Sequence, residues 1–335
     1  MDPLTQGVLG ASLPQAVVRS GRYAAGAGLL GFLAGMAADL DVLIRSSSDP
    51  LLFLEYHRQF THSLIFIPVG GLICALVLHN LLGKRRGLSF RQSWLFCTLG
   101  YATHALLDTC TTYGTMLLWP FSDARFAWNT ISIIDPLFTL PLLVAVVLAG
   151  RRGRPLFARL GLLWACLYMG AGLWQRNEAM DMGHALAAQR GHQPLRLEAK
   201  PSFANILVWK VVYETEDHFY VDAVRASWAP RVFPGDSVQK LDIPRDLPWL
   251  DIDSQQARDI ERFRWFSNGY IARDPLFRNR VIDIRYSMIP NEMAPLWSIE
   301  LRPEAQPDEH VAYRVHRETG NNRAALMWSM VAGGE

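Results

Sequence analysis

The 335-residue chain has only four cysteines, and none is placed for pairing. Cys74, Cys97, Cys110 and Cys166 lie singly in apolar runs, which excludes a disulfide framework and a thiolate metal site and leaves them as small buried hydrophobes. Charge of one sign is also missing. A formal net charge of +2, with no basic stripe interleaved with aromatics, gives no footing for a nucleic-acid partner. Internal repeats and low-complexity tracts are absent. The amino-terminal stretch MDPLTQGVLGASLPQAVVRSGR has neither a basic n-region nor a small-residue cleavage pattern, so it does not read as a removable signal peptide.

What the chain does have is long apolar runs, concentrated before Trp174. A helix rises about 1.5 Å per residue through a hydrocarbon core about 30 Å thick, so roughly 20 apolar residues cross it. Four runs meet that length, at 24–44, 62–82, 93–112 and 131–149, and a fifth lies at 156–174. Segment 2–18 is shorter and broken by Pro14, which leaves it open between spanning, re-entering and lying along the surface. The expected fold is an α-helical integral membrane bundle of about five or six spanning helices followed by a soluble carboxy-terminal domain.

Orientation follows from the basic loops, because cytoplasmic loops are enriched in lysine and arginine. Lys84, Arg85, Arg86 and Arg91 fill one loop and Arg151, Arg152, Arg154 and Arg159 another, and alternate crossings put both on the side of Arg19 and Arg22. That places 45–61, 119–130 and everything after Trp174 outside the cytoplasm. The stretch QRNEAMDMGHALAAQRGH reads as a helix leading away from the membrane. Beyond Pro201, ILVWKVVYE and HFYVDAVRAS flank a short polar TEDH and read as a hairpin. RFRWFSNGYIARD, VIDIRYSMI, LWSIEL and VAYRV suggest further strands, with DSQQARDIER a short helix between them. The expected division is a membrane domain over 1–174 carrying a metal site, a helical linker over 175–200, and an extracytoplasmic α+β or mostly β domain over 201–335.

The chemistry-bearing residues gather at the outward ends of the spans. AADLDVL supplies Asp39 and Asp41, EYHRQFTHS supplies His57, Arg58 and His62, and THALLD supplies His104 and Asp108. The four-residue spacing of the last pair puts both side chains on one face of a helix. IIDP places Asp135 near the same level. Imidazole and carboxylate suit zinc and several other divalent metals. An ionisable group inside a spanning helix costs roughly 2.5–3.5 kcal/mol, so an intramembrane pair calls for a partner or a function. Asp49 and Asp123 read as loop caps or solvated residues, and His79, His184, His192, His218 and His310 as structural. Arg58 reads either as a phosphoryl-binding guanidinium or as the partner of Glu55 or Asp41.

The motif order is similar to that of the YdjM/YfhP-like family of inner-membrane proteins, membrane-bound metal-dependent hydrolases. MDPLTQGVLG, ADLDVL, EYHRQFTHS, GYATHALLDTCTTYGTMLLWPFSD and ISIIDPLFTLP carry the resemblance, which covers most of the chain. More distantly the order resembles zinc-dependent phospholipase C and related nucleases, whose sites use His-x-x-x-Asp on a helix. Those relatives have an early Thr-His ligand where this chain has Thr5-Gln6, and an amide oxygen is a poorer zinc ligand, which argues against a full three-metal site.

The resulting expectation is a metal-dependent hydrolase at the extracytoplasmic face of a bacterial inner membrane. Asp39, Asp41, His57, His62, His104 and Asp108 hold one or two divalent ions, zinc first and manganese or magnesium as alternatives. Asp41 or Asp108 serves as base and Arg58 faces a phosphoryl oxygen. A site at the membrane face favours a lipid or lipid-linked ester or phosphoester as substrate and leaves protein partners open. Trp209, Trp228, Trp249, Trp265 and Trp297 are expected to cover the site or select substrate, or to serve in the core and at interfaces. The rival expectations are a cation-coupled transporter, which the missing repeat disfavours, and a metal-stabilised scaffold.

Overall fold

The computed structural model of the chain describes residues 1–227, 229–316 and 321–333. Trp228 therefore lies outside the described residues. Two compact units emerge, one made of Met1–Leu43, Tyr56–Trp174 and Phe203–Asn205 and the other of Ile44–Glu55, Gln175–Ser202 and Ile206–Glu335. The twelve-residue segment Ile44–Glu55 is thus grouped with the later part of the chain, although the sequence expectation kept 1–174 continuous.

The first unit is helical. It contains α1 (Pro3–Val17) and α2 (Ala24–Met36), which continues into a 3-10 turn over Ala37–Leu43. After α3 (Leu52–Tyr56), which lies almost wholly in the second unit, come α4 (Ile67–Leu78), α5 (Phe90–Cys110) and α6 (Pro136–Arg152). A long helix, α7 (Pro155–Gln189), runs from the first unit into the second. Local chemistry sets the ends. Ser89 and Gln92 form a reciprocal capping box at the start of α5. Asp135 caps α6 ahead of Pro136, and Gly153 closes it in the left-handed conformation, φ 60°.

Small residues face inwards and large apolar ones outwards. On α4, Gly70, Gly71 and Ala75 are buried while Val69, Leu72, Ile73, Leu76 and Val77 are exposed. This inverts the pattern of a helix in water and matches packing in hydrocarbon, where close backbone approach rather than apolar burial holds helices together. Among the described residues, three helical stretches, Gly21–Leu43, Leu64–Arg86 and Pro155–Gln189, are long and apolar enough to cross a membrane. Segment 2–18, left open by the sequence, forms α1, and Thr5, Gln6, Val8, Ser12 and Gln15 on it are all buried.

Glycine allows a close helix crossing in this unit. A Cβ on Gly35 of α2 would lie 2.9 Å from Gly10 Cα of α1, and one on Gly100 of α5 would lie 2.6 Å from Gly31 Cα. These obstacles are backbone atoms, so α1, α2 and α5 meet where no side chain fits.

The second unit is sheet-rich. β1 (Arg196–Pro201), β2 (Val208–Glu214), β3 (His218–Arg225) and β4 (Arg231–Phe233) form an antiparallel sheet in that order, and β5 (Ser237–Gln239) also pairs with β3. After two helices, α8 (Ile243–Asp246) and α9 (Gln255–Phe266), strands β6 (Ile271–Arg273), β7 (Arg280–Asp283), β8 (Trp297–Glu300) and β9 (Ala312–Val315) form a second antiparallel sheet. The chain then enters α10 (Asn321–Ala332). Val212, Phe219 and Val221 of the first sheet share one core with Tyr270, Ala272, Ile282 and Ile284.

The β2/β3 hairpin pairs Val208 with Arg225 through Glu214 with Phe219, as the flanking apolar runs imply. Two readings are corrected. RFRWF belongs to α9, because Ser254 caps a helix whose Ala257, Ile260, Phe263 and Phe266 recur at helical spacing and are buried. Arg196–Pro201, all but its last residue inside the stretch 175–200 read as a helical linker, is a strand zipped to β2.

Lys210 on β2 is buried in this core, and its Nζ donates to Ser287 Oγ at 2.8 Å and to the Glu292 carbonyl at 2.9 Å. Burial pushes its ammonium down to about 7 against the pull of Asp283 and Glu292, whereas the ordinary value is 10.5. Between those values the unfolded chain binds more protons than the folded one, so stability rises with pH across the window and is lowest below about pH 7. Lys210→Met is expected to raise the unfolding temperature at about pH 6 by several degrees and to flatten its rise towards about pH 10. Melting curves of wild type and variant that stay parallel over this range would contradict the assignment.

Candidate metal centre

Six acidic and imidazole side chains from three segments come together in the first unit. The 3-10 winding of Ala37–Leu43 brings in the first two. In an α-helix residues two apart point almost oppositely, about 200° round the axis, but the three-residue turn brings them to within about 120° of each other. Asp39 and Asp41 can therefore both look inwards while Leu40 and Leu43, three apart, look out. His62 closes a second 3-10 turn, Phe60–His62. His104 and Asp108, one turn apart on α5, supply the rest.

Four ligand atoms converge. His62 Nε2 lies 3.0 Å from His104 Nε2. Asp39 Oδ1 is 3.5 Å from the first nitrogen and 3.3 Å from the second, and Asp108 Oδ2 is 3.3 and 3.6 Å from them. Tetrahedral coordination at zinc-like bond lengths of about 2.0–2.1 Å has ligand-to-ligand edges of about 3.3 Å. The five separations scatter around that figure.

Hydrogen bonding fixes which imidazole atoms face the centre. His104 Nδ1 lies 2.5 Å from the Gly35 carbonyl, which can only accept, so Nδ1 carries the proton and Nε2 presents a lone pair. His62 Nδ1 lies 2.9 Å from Thr61 Oγ1, which donates to Asp41 Oδ2 at 2.9 Å, so the same assignment follows. With both imidazoles neutral, two nitrogen lone pairs and two carboxylate oxygens point at one another, an arrangement that positive charge at its middle would relieve. Asp108 Oδ2 is buried with the Arg58 Nε 3.0 Å away but out of line for a hydrogen bond, and buried Gln6 Oε1 has no hydrogen-bond partner among the described residues. The donor set, its spacing and these unsatisfied acceptors fit a divalent cation.

Asp41 stands behind the centre. Its Oδ1 is 2.8 Å from His57 Nδ1, and its Oδ2 accepts from the Arg58 amide at 2.9 Å and from Thr61. Asp39, Asp41 and His57 also form a second group able to share an ion, with Asp39 common to both. Arg58 is buried and takes φ 63°, a left-handed conformation unfavourable for a side-chain-bearing residue. Its guanidinium approaches Asp108 Oδ2 at 3.0 Å through Nε, donates to Thr111 Oγ1 at 3.0 Å and lies over the Tyr113 ring. Its ion-pair partner is thus Asp108 rather than Glu55 or Asp41. The other oxygen of Asp108 accepts from Gln6 Nε2 at 2.8 Å and from the Met1 α-amine at 2.6 Å.

Asp135 does not join the cluster. It caps α6 through the amides of Leu137 and Phe138 and accepts the Tyr168 hydroxyl at 2.9 Å. Sequence reasoning missed Thr61 and the Gly35 carbonyl, which orient the two imidazoles. Thr61 had a signal, as the residue just before His62; a backbone carbonyl leaves none.

A family model described as YdjM inner membrane protein matches residues 1–179, which include every residue of the cluster. The inner membrane protein YbcI of Escherichia coli (strain K12) is 37% identical over 107 residues, 31% of this chain and 60% of that one, so the chain covers less than two thirds of it. The uncharacterized protein YfhP of Bacillus subtilis (strain 168) is 27% identical over 303 residues, 85% of this chain and 87% of that one. No solved structure matches the chain.

Proposed function

The chain belongs to the YdjM inner membrane protein family, and we propose that it is a membrane-embedded, metal-dependent hydrolase acting on an ester or phosphoester of a lipid or lipid-linked substrate. The observation that carries the reading is the convergence of His62, His104, Asp39 and Asp108 at tetrahedral spacing. In this reading α1, α2, α4, α5, α6 and α7 all traverse the inner membrane, and the basic loops put the cluster and the sheet-rich unit on the extracytoplasmic side.

His62, His104, Asp39 and Asp108 hold the ion, zinc being the first choice for this donor set with manganese and magnesium as alternatives. The ion supplies Lewis acidity and makes water acidic enough to deprotonate near neutral pH. Thr61, Asp41 and the Gly35 carbonyl fix the tautomers of the two histidines and keep both Nε2 atoms aimed inwards. Half-buried His57, backed by Asp41, is placed to take or give a proton at its outer nitrogen. Arg58 offers a buried positive charge beside Asp108 that suits an anionic phosphoryl oxygen.

Elemental analysis of detergent-purified protein is expected to find about one equivalent of divalent metal, and that sample to hydrolyse a member of a panel of phospholipids and lipid-linked phosphates in a chelator-sensitive way. Protein without metal after resupply of zinc, manganese and magnesium would end the hydrolase reading.

A further inference from the structure

The segment Ile44–Glu55 separates two groups of cluster residues, with Asp39 and Asp41 just before it and His57, Arg58 and His62 just after. It belongs to the second unit, and inside that unit it is gripped at both ends of α3. Arg262 of α9 reaches both oxygens of Asp49, at 3.0 and 2.8 Å, and Glu55 at 2.5 Å, while Asp259 holds the same guanidinium at 2.9 Å. His310 bonds the other oxygen of Asp259 at 2.8 Å. Between the two ionic contacts Leu51 and Leu54 are buried and the Phe53 ring packs edge-on to Tyr313 at 5.2 Å. An arginine shared by three carboxylates is far more ordered than a single exposed pair.

We propose that Arg262 is a positioning residue for the candidate metal centre: by clamping the strap 44–55 through Asp49 and Glu55, it fixes the chain from which Asp41 departs and at which His57 and Arg58 begin. The proposal rests on the metal-site reading above. Glu55 is two residues from His57, so releasing it frees the backbone that enters Arg58, the residue held at φ 63° whose amide bonds Asp41. Asp41 in turn orients His62 through Thr61. Loss of the clamp therefore loosens partners of the metal ligands without removing any ligand.

The test uses the full-length protein in detergent with zinc alone as probe, measuring zinc affinity by competition with a chromophoric chelator and thermal unfolding in parallel. Arg262→Gln is expected to weaken zinc binding about tenfold, the lower end of what loss of an outer partner brings, with the stoichiometry at saturation unchanged. The double variant Asp49→Ala, Glu55→Ala, which keeps the Arg262–Asp259 pair, is expected to do the same and decides the matter if Arg262→Gln does not fold. Arg280→Gln breaks ion pairs to Asp274 and Glu300 in the same unit away from the strap and is expected to leave affinity unchanged. Wild-type affinity in the strap variants, with only a lowered unfolding temperature, would overturn the positioning role while leaving the metal site standing. Absence of zinc binding in the wild type would instead remove the metal reading and this proposal with it.

Discussion

His104→Ala is expected to lose stoichiometric metal, and chelator-sensitive hydrolysis with it. The substitution removes one of four converging ligand atoms, so affinity falls by more than the roughly 10–100-fold that loss of an outer partner brings. It also leaves the Gly35 carbonyl without its imidazole donor. The informative control is Asp135→Asn. Asp135 is as fully buried as His104 and sits in a hydrogen-bonded network of its own, but it faces Tyr168 and the first turn of α6. That variant is expected to lower the unfolding temperature and keep its metal. Elemental analysis of both proteins, purified identically, separates a site from mere burial of polar groups. Equal metal in wild type and His104→Ala would refute the assignment of the four ligands.

The second large effect is expected at a residue with no chemistry. Gly100→Val would drive a branched side chain against Gly31 Cα, which a single Cβ already meets at 2.6 Å. Overpacking a core costs about 1–3 kcal/mol where side chains can move aside. Here the obstacle is the α2 backbone, so the cost exceeds that range and the yield of monodisperse protein in detergent is expected to collapse. His104 lies one turn further along α5, so any variant protein recovered should also bind metal poorly. Gly170→Ala on α7 is the matched control, because nothing among the described residues lies within 4 Å of its added Cβ. In a helix interior that change favours folding by up to about 1 kcal/mol. Comparable yields and melting temperatures for the two variants would show that the α2/α5 crossing is looser than drawn.

Much of this arrangement is written locally. The four-residue spacing of His104 and Asp108 is enough to put both on one face of α5, and apolar run length marks the three helical stretches, Gly21–Leu43, Leu64–Arg86 and Pro155–Gln189, that can cross a membrane. The β2/β3 hairpin follows from two β-rich runs around a polar turn. What the sequence hides depends on distant partners. RFRWF has the composition of a strand, yet Phe263 and Phe266 fall in register with Ala257 and Ile260 on the buried face of α9. Asp49 reads as a loop cap or a solvated residue, and it does accept the Leu51 amide, but its ion pair with Arg262, 213 positions away, leaves no local signal. Asp135 could be placed only near the level of the site, its role open, because a carboxylate that caps a helix and one that faces a cation carry the same letter. His310, read as structural, does bond Asp259 within the second unit.

The winding of residues 37–43 has a consequence for how this centre can be lost. Because Asp39 and Asp41 address it from positions two apart, their joint presence depends on a three-residue turn. Rewinding the same seven residues as a regular α-helix would spread the two carboxylates from about 120° to about 160° apart round the axis and shorten the segment by about 3.5 Å, with every side chain still present. The information that sets the donor set is therefore a choice of hydrogen-bond pitch as much as a choice of amino acids. An alignment would score such a protein as fully conserved at each of its acidic and imidazole positions, although its geometry had been undone.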